Sequence, residues 1–394
     1  MSEDEEPEES EDEGPLTETI SLVKLPGSSR SALACVVKRT YAIDAGGRLS
    51  LADEQVPLST TPEVELDGHG GHKLLSDDTD IGPPKVATDV VFTGSAYAAG
   101  RAVEIFAALA VGGSMRRLRV TGERRVSVRG DGSARFASPE PFERVAVSFE
   151  RAYGGYDEHA HWKLDPPSVD EIHRLQRPVG LFAYPRNAAG VGYFLDVDRR
   201  RADGALLPQI EDPSDLLVPE RFFVSSPRAW IDAPLPGALG WLHYGWYPRL
   251  FRFVGPLLPY DPPTRPIREI ALGEGDDLAS PQPLALGVIH PRALQGAAPG
   301  LSRERLRGDE LVILQHLHPT NEDLRFALPG EAPSFTLRAP DVKALQPKPT
   351  LQTVRIEPDS GRISLTWCGV VQVANRVDQD FLDECELDVS WSRL

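Results

Sequence analysis

Residues 103–111 read VEIFAALAV and run directly into Gly112 and Gly113. Val103, Ile105, Ala107, Leu109 and Val111 fall on alternate positions, the period of a strand that turns one face to a core. The glycine pair permits a tight reversal, and RRLRV at 116–120, RRVSVRG at 124–130 and ARFAS at 134–138 continue a strand-turn-strand rhythm. Arg129 to Gly132, RGDG, reads as one of the hairpin turns, its aspartate and glycines being turn formers in their own right.

The same pattern extends outward. Upstream, VVKRTYAID at 36–44 followed by AGGRLSLAD at 45–53 predicts a hairpin. Downstream, ELVILQHLHP, LRFALP, SFTLRAP, LQTVRIEPDSGRISLTWCGVVQV and ECELDVSWS return to short strands, and IEPDSGRISL echoes IDAGGRLSL, as two duplicated β-units do. Between these regions, from about His159 to Pro283, loop dipeptides and prolines break any long element, because proline lacks a ladder donor and restricts the residue before it. Trp230, Trp241, Trp246, Tyr244, Tyr247, Phe251 and Phe253 carry too much apolar surface to remain in water, so these loops are expected to pack over the sheets.

The expectation is a mainly β chain of β-sandwich or open-barrel modules with long Pro-rich irregular connections and few helices. Its parts are a disordered acidic tail at 1–17, an N-terminal β-domain at 18–158, the Pro- and aromatic-rich section at 159–283 and a C-terminal β-domain at 284–394. The tail follows from charge: nine of the first thirteen residues are acidic and none is basic, out of a net charge of −17 for 394 residues. Acidity disfavours nucleic acid as a partner, and Arg116, Arg117, Arg119, Arg124 and Arg125 read as solvated strand faces. No apolar run is long enough to span a bilayer and the N-terminus is not that of a secretory signal, which places the chain in the cytoplasm without a membrane partner. Cys35, Cys368 and Cys385 are widely spaced and odd in number, as reduced structural thiols are.

Candidates for chemistry are few. DGHGGHKLLSDDTD brings Asp67, His69, His72, Asp77, Asp78 and Asp80 close in sequence, with ligand types suited to a metal but no zinc or calcium template. His159 with His161, and His316 with His318, sit at i and i+2, hence on one strand face, a spacing that can hold copper or zinc although no third or fourth ligand can be named. No G-x-S-x-G elbow, phosphate-binding loop or dinucleotide fingerprint occurs. No catalytic residue, metal ligand or cofactor is therefore assigned. The enzyme alternative that remains is a carbohydrate-active or metal-dependent hydrolase, which abundant carboxylates and a β-rich fold would allow.

An ordered series of segments carries a resemblance. VVKRTYAID, FTGSAYAAGRAVE, RRLRVTGERRV, VSFERAYGGYD, RPVGLFAYPRNAAG, PERFFVSSPRAW, WYPR, GDELVILQHLHP, LRFALPG and TVRIEPDSGRISLTWCG together resemble a large bacterial domain-of-unknown-function family of type VI secretion system effector adaptors and chaperones. The resemblance implies a non-enzymatic protein that binds an effector toxin and helps seat it on the VgrG spike or PAAR tip. Such a role calls for aromatic and arginine anchors on a docking face. Trp241, Tyr244, Trp246, Tyr247 and Arg249 form one candidate protein-binding group, and Tyr153 and Tyr156, flanking Gly154 and Gly155, form a second.

Overall fold

The computed structural model describes residues 16–25, 31–66, 73–160, 182–254, 292–340, 342–373 and 377–394. Strands dominate them, and the bounded α-helices, Arg249–Val254 and Gln379–Asp383, are of six and five residues. The fold is mainly β, built of several sheets of which none closes into a barrel.

The first sheet runs in the order Glu18–Lys24, Ser31–Ile43, Arg362–Gln372, Pro349–Glu357, Asp89–Phe92, with Leu49–Leu51 pairing the end of Ser31–Ile43. The hairpin expected at VVKRTYAID is present. Asp44 closes it, its Oδ1 accepting from the Gly46 and Arg48 amides at 2.9 and 2.8 Å, and Gly47 adopts φ 82°, which a side chain would resist. The echo at IEPDSGRISL forms a second hairpin whose turn lies beside the first in the same sheet: Ala42 is paired with Arg362, and the Ile43 amide donates to the Gly361 carbonyl at 2.8 Å. The acidic tail lies outside the described residues up to residue 15. Leu16 and Thr17 do not belong with it, because their carbonyls accept from the Leu58 and Lys38 amides and so extend the edge of the sheet.

The second sheet runs Ile210–Glu211, Ser114–Thr121, Glu104–Val111, Leu311–Gln315, Asp323–Ala327. Ile105, Ala107, Leu109 and Val111 face inward as the alternation predicts, whereas Val103 stands before the strand and is exposed. A third sheet holds Val342–Leu345, Glu331–Ala339 and Glu386–Arg393. The segments read from sequence as separate N- and C-terminal β-domains thus contribute strands to the same two sheets. Hydrogen-bonded register joins Val36 to Cys368, Val91 to Arg355 and Leu109 to Leu314. Period and turn chemistry are local and cannot indicate which distant strand completes a ladder.

One core lies between these sheets. Leu33, Cys35 and Val37 from the first, Leu109, Leu118 and Leu314 from the second, and Phe335 and Leu337 from the third are all buried in it. The Pro-rich section forms a second cluster, in which Tyr153, Tyr184, Tyr193, Leu207 and Phe222 pack among short bridges and 3-10 turns. No helix among the described residues is long and apolar enough to cross a membrane.

Candidate peptide-docking groove

The residues singled out as anchors are interior. Trp241 and Trp246 are 5% and 4% exposed, Tyr153 and Arg249 are buried, and Tyr156, Tyr244 and Tyr247 are half-buried. They do not form an exposed docking face, which corrects the reading of the 241–249 group as surface anchors. The reason is the apolar area of the rings: Trp246 packs edge-on to Phe149 with centroids 5.2 Å apart, and Tyr247 lies against Trp230 at 5.3 Å. Tyr153 sits edge-on to Tyr184 at 5.1 Å, and burial raises its phenol pKa well above the ordinary value. Gly154 and Gly155 serve close approach, because a Cβ on Gly154 would stand 2.1 Å from the Asn187 carbonyl oxygen. Phe251 and Phe253 lie outside what the structure describes of side chains.

Arg249 reaches across the chain to the aspartate run. Its Nη2 donates to Asp78 Oδ2 at 2.6 Å, its Nη1 to the Leu242 carbonyl at 2.9 Å, and its guanidinium carbon lies 3.8 Å from the Tyr244 ring centre. The Tyr244 hydroxyl donates to the other Asp78 oxygen, and burial, then that carboxylate, pushes the phenol pKa up. Asp80 pairs with Lys38, Asp77 with Arg355 at 2.9 Å, and Asp89 with Lys85 at 2.7 Å. Each of these aspartates is paired with a base, drawn from a distant strand for Asp77 and Asp80, from the helix Arg249–Val254 for Asp78 and from four residues earlier for Asp89, an arrangement that anchors loops. Asp67, His69 and His72 lie outside the described residues, as does His161; His159 is exposed. His316 and His318 do not share a strand face, since the strand ends at Gln315 and His316 turns into the loop with φ 54°, its Nδ1 3.0 Å from the Tyr97 carbonyl.

The arginine cluster is also largely committed within the fold rather than solvated. Arg116 donates to the Pro299 and Pro236 carbonyls, both at 2.7 Å, Arg119 bonds Glu104 and Glu211, and Arg124 bonds Glu211.

A concave surface appears instead where the three sheets meet. A groove of about 680 Å³ is walled by Arg39, Tyr41 and Leu49–Leu51 of the first sheet, Ala327 of the second, and Glu331 and Trp391–Arg393 of the third. At its base Arg39 donates to Glu331 Oε2 at 3.0 Å and stacks 4.2 Å from the Trp391 ring centre, and the Tyr41 hydroxyl donates to the same carboxylate oxygen at 3.2 Å. Burial, then the charge of Glu331, raises the Tyr41 pKa. Leu51 is 53% exposed on one wall, and Arg393 is exposed on the other.

Two strand edges border the groove. Among the described strands, Glu386–Arg393 pairs Glu331–Ala339 on one side and none on the other, and Leu49–Leu51 pairs only the end of Ser31–Ile43. Free edges offer backbone donors and acceptors to an added strand, while a cleft of this volume holds several side chains. The sequence missed the groove because its walls lie up to some 350 positions apart; ECELDVSWS signalled a strand but neither that it lies at an edge nor what it faces.

The segment-by-segment resemblance is supported as far as a bacterial family of uncharacterized function. No curated protein and no solved structure matches the chain. A family model described as an uncharacterized protein conserved in bacteria, DUF2169, matches residues 28–368, which spans strands of all three sheets. The chain accordingly belongs to the bacterial DUF2169 family.

Proposed function

We propose that this chain is a non-enzymatic adaptor and chaperone that holds an extended segment of a toxic effector in the groove between Leu51 and Trp391 and helps seat that effector on the VgrG spike or PAAR tip of a type VI secretion system. The groove is the observation that supports the reading. It joins two free strand edges to an apolar wall, an aromatic ring and a charge pair, a combination suited to a peptide that binds as an added strand and projects alternate side chains. Such a peptide carries apolar residues for Leu49 and Leu51 and an acidic residue for Arg393. The resemblance of the ordered segments to effector adaptors supports a toxic effector as the class of cargo.

The test is co-purification with the toxin, spike and tip proteins encoded beside the gene, together with a delivery assay in its deletion strain. Toxin delivery stops while the apparatus still fires. Leu51→Glu places a charge on the groove wall and is expected to lower toxin capture at least tenfold without changing the melting temperature. A wild-type chain that captures neither the toxin nor a spike component overturns the adaptor reading; capture undiminished by Leu51→Glu overturns the groove as its site.

A further inference from the structure

The outer face of the second sheet is apolar and exposed. Phe106, Met115 and Leu311 are 53%, 51% and 52% exposed, and Ala108, Ala110 and Ile313 lie between them on the same face. Exposed large apolar residues grouped in this way mark an interaction surface. The face adjoins the groove at Ala327, the register partner of Leu311, but its reading does not depend on that function.

The register of the four strands determines what fits it. In one row across the sheet stand Met115, Ala110, Ile313 and Arg325; in the next stand Arg117, Ala108, Gln315 and Asp323. The two central strands, Glu104–Val111 and Leu311–Gln315, therefore differ in relief: one presents small alanines and the other longer side chains, position for position. The two outer strands differ in charge, with Arg117 at one end of the second row and Asp323 at the other.

A twofold axis parallel to the strands and midway between the central pair exchanges these features. It sets Ile313 of a second copy over Ala110 and Gln315 over Ala108, so that ridges enter hollows. It also sets Asp323 of the second copy opposite Arg117, and the aliphatic stem of Arg325 over Met115. Both contacts of each kind form twice, as an isologous interface requires. Two sheets can pack face to face in this aligned manner, with side chains interdigitating over about 10 Å.

Asp323 and Arg325 form a two-bond pair at 3.0 and 2.8 Å with both side chains more than half exposed, so the carboxylate keeps accepting positions open to a second base. Arg117 is exposed on the same face.

We infer that this chain forms a twofold homodimer through the outer face of its second sheet, with Ile313 of each copy packed over Ala110 of the other and Arg117 paired with Asp323 across the interface.

Sedimentation equilibrium of the full chain at about physiological salt tests this. The wild type is expected at twice the chain mass. Arg117→Asp and Asp323→Arg, each placing like charges across the axis, are expected to weaken the dimer at least tenfold, and the double variant Arg117→Asp/Asp323→Arg is expected to restore it. Both positions are exposed, and a thermal melt on each variant establishes that it remains folded. A monomeric wild type overturns the inference, including the case in which the face instead serves an unlike partner. A dimer indifferent to both single charge changes, or single losses that the double variant does not repair, overturns the proposed pairing and with it this interface.

Discussion

Arg249 and Asp78 meet at 2.6 Å although 171 residues separate them, and each side chain is only 2% exposed. Such a pair contributes little net stability against an apolar replacement, yet losing one member strands the other charge in the interior. Asp78→Ala and Arg249→Ala are each expected to lower stability by about 3–5 kcal/mol in denaturant melts. The double variant Asp78→Ala/Arg249→Ala should cost much less than the sum of the two, because neither charge is then left alone. Additive losses would show that the two side chains do not act as a pair.

Trp246→Ala removes a ring packed on Phe149 within the main core and is expected to cost about 3–5 kcal/mol. Trp391→Ala differs: its ring is half-buried on the groove wall, so affinity for a captured segment should fall by more than stability does. Denaturant melts and binding isotherms on both variants separate a core tryptophan from a docking one. The opposite pattern would return the docking face to the 241–249 segment.

At Gly154 an added Cβ would meet the Asn187 carbonyl oxygen at 2.1 Å, with the Asn187 Cβ and Cγ both at 3.0 Å, which leaves little room for relief. Gly154→Ala is expected to destabilise by about 1–3 kcal/mol, the range for overpacking, and more if the backbone cannot shift. Gly204→Ala is a suitable contrast, since nothing lies within 4 Å of its Cβ position and only its φ of 78° resists the change. Equal losses at the two sites would mean that backbone conformation, not close approach, governs Gly154.

Burial pushes the Cys35 and Cys368 thiols up to about 12, with Cys385 adding to the first and Cys35 to the second, and burial raises the Tyr184 phenol to about 12. A group whose folded pKa lies above its unfolded one stabilises the fold fully below the unfolded value. That contribution is lost as pH rises toward the folded value. Stability should therefore hold to about pH 8.5, the pKa of a free thiol, and decline steadily on the way to pH 12. Iodoacetamide at pH 8 should label Cys385, which is partly exposed, and leave Cys35 and Cys368 unmodified until denaturant is added. Rapid labelling of all three thiols in the native protein would contradict their placement in the sheet interior.

Much of the fold was legible before any coordinate. The inward alternation of Ile105, Ala107, Leu109 and Val111, the hairpin closed by Asp44 and Gly47, the turn at Arg129 to Gly132 and the irregular character of the described part of 159–283 all express local preferences. The histidine pair at 316 and 318 was misplaced because a single left-handed residue ends the strand at Gln315, and such a step leaves no mark on hydrophobic period. Residue type alone does not decide whether Trp241, Trp246 and Arg249 dock a partner or fill a loop core. Tryptophan and arginine occur at interfaces and in paired interiors alike, and only a partner as remote as Asp78 distinguishes the two.

The amino-acid sequence by itself determined which segments are strands, which side of each seeks a core and where the chain must turn, because side-chain alternation, proline and glycine act within a few residues of themselves. Only the tertiary structure decided that Val36 lies beside Cys368 and Leu109 beside Leu314, and so that the two ends of the chain build common sheets. The groove at Arg39 and Trp391 and the exposed row through Ala110 and Ile313 arise from those pairings. Register between distant strands is selected by the summed burial of whole faces, a quantity that no single stretch of sequence contains.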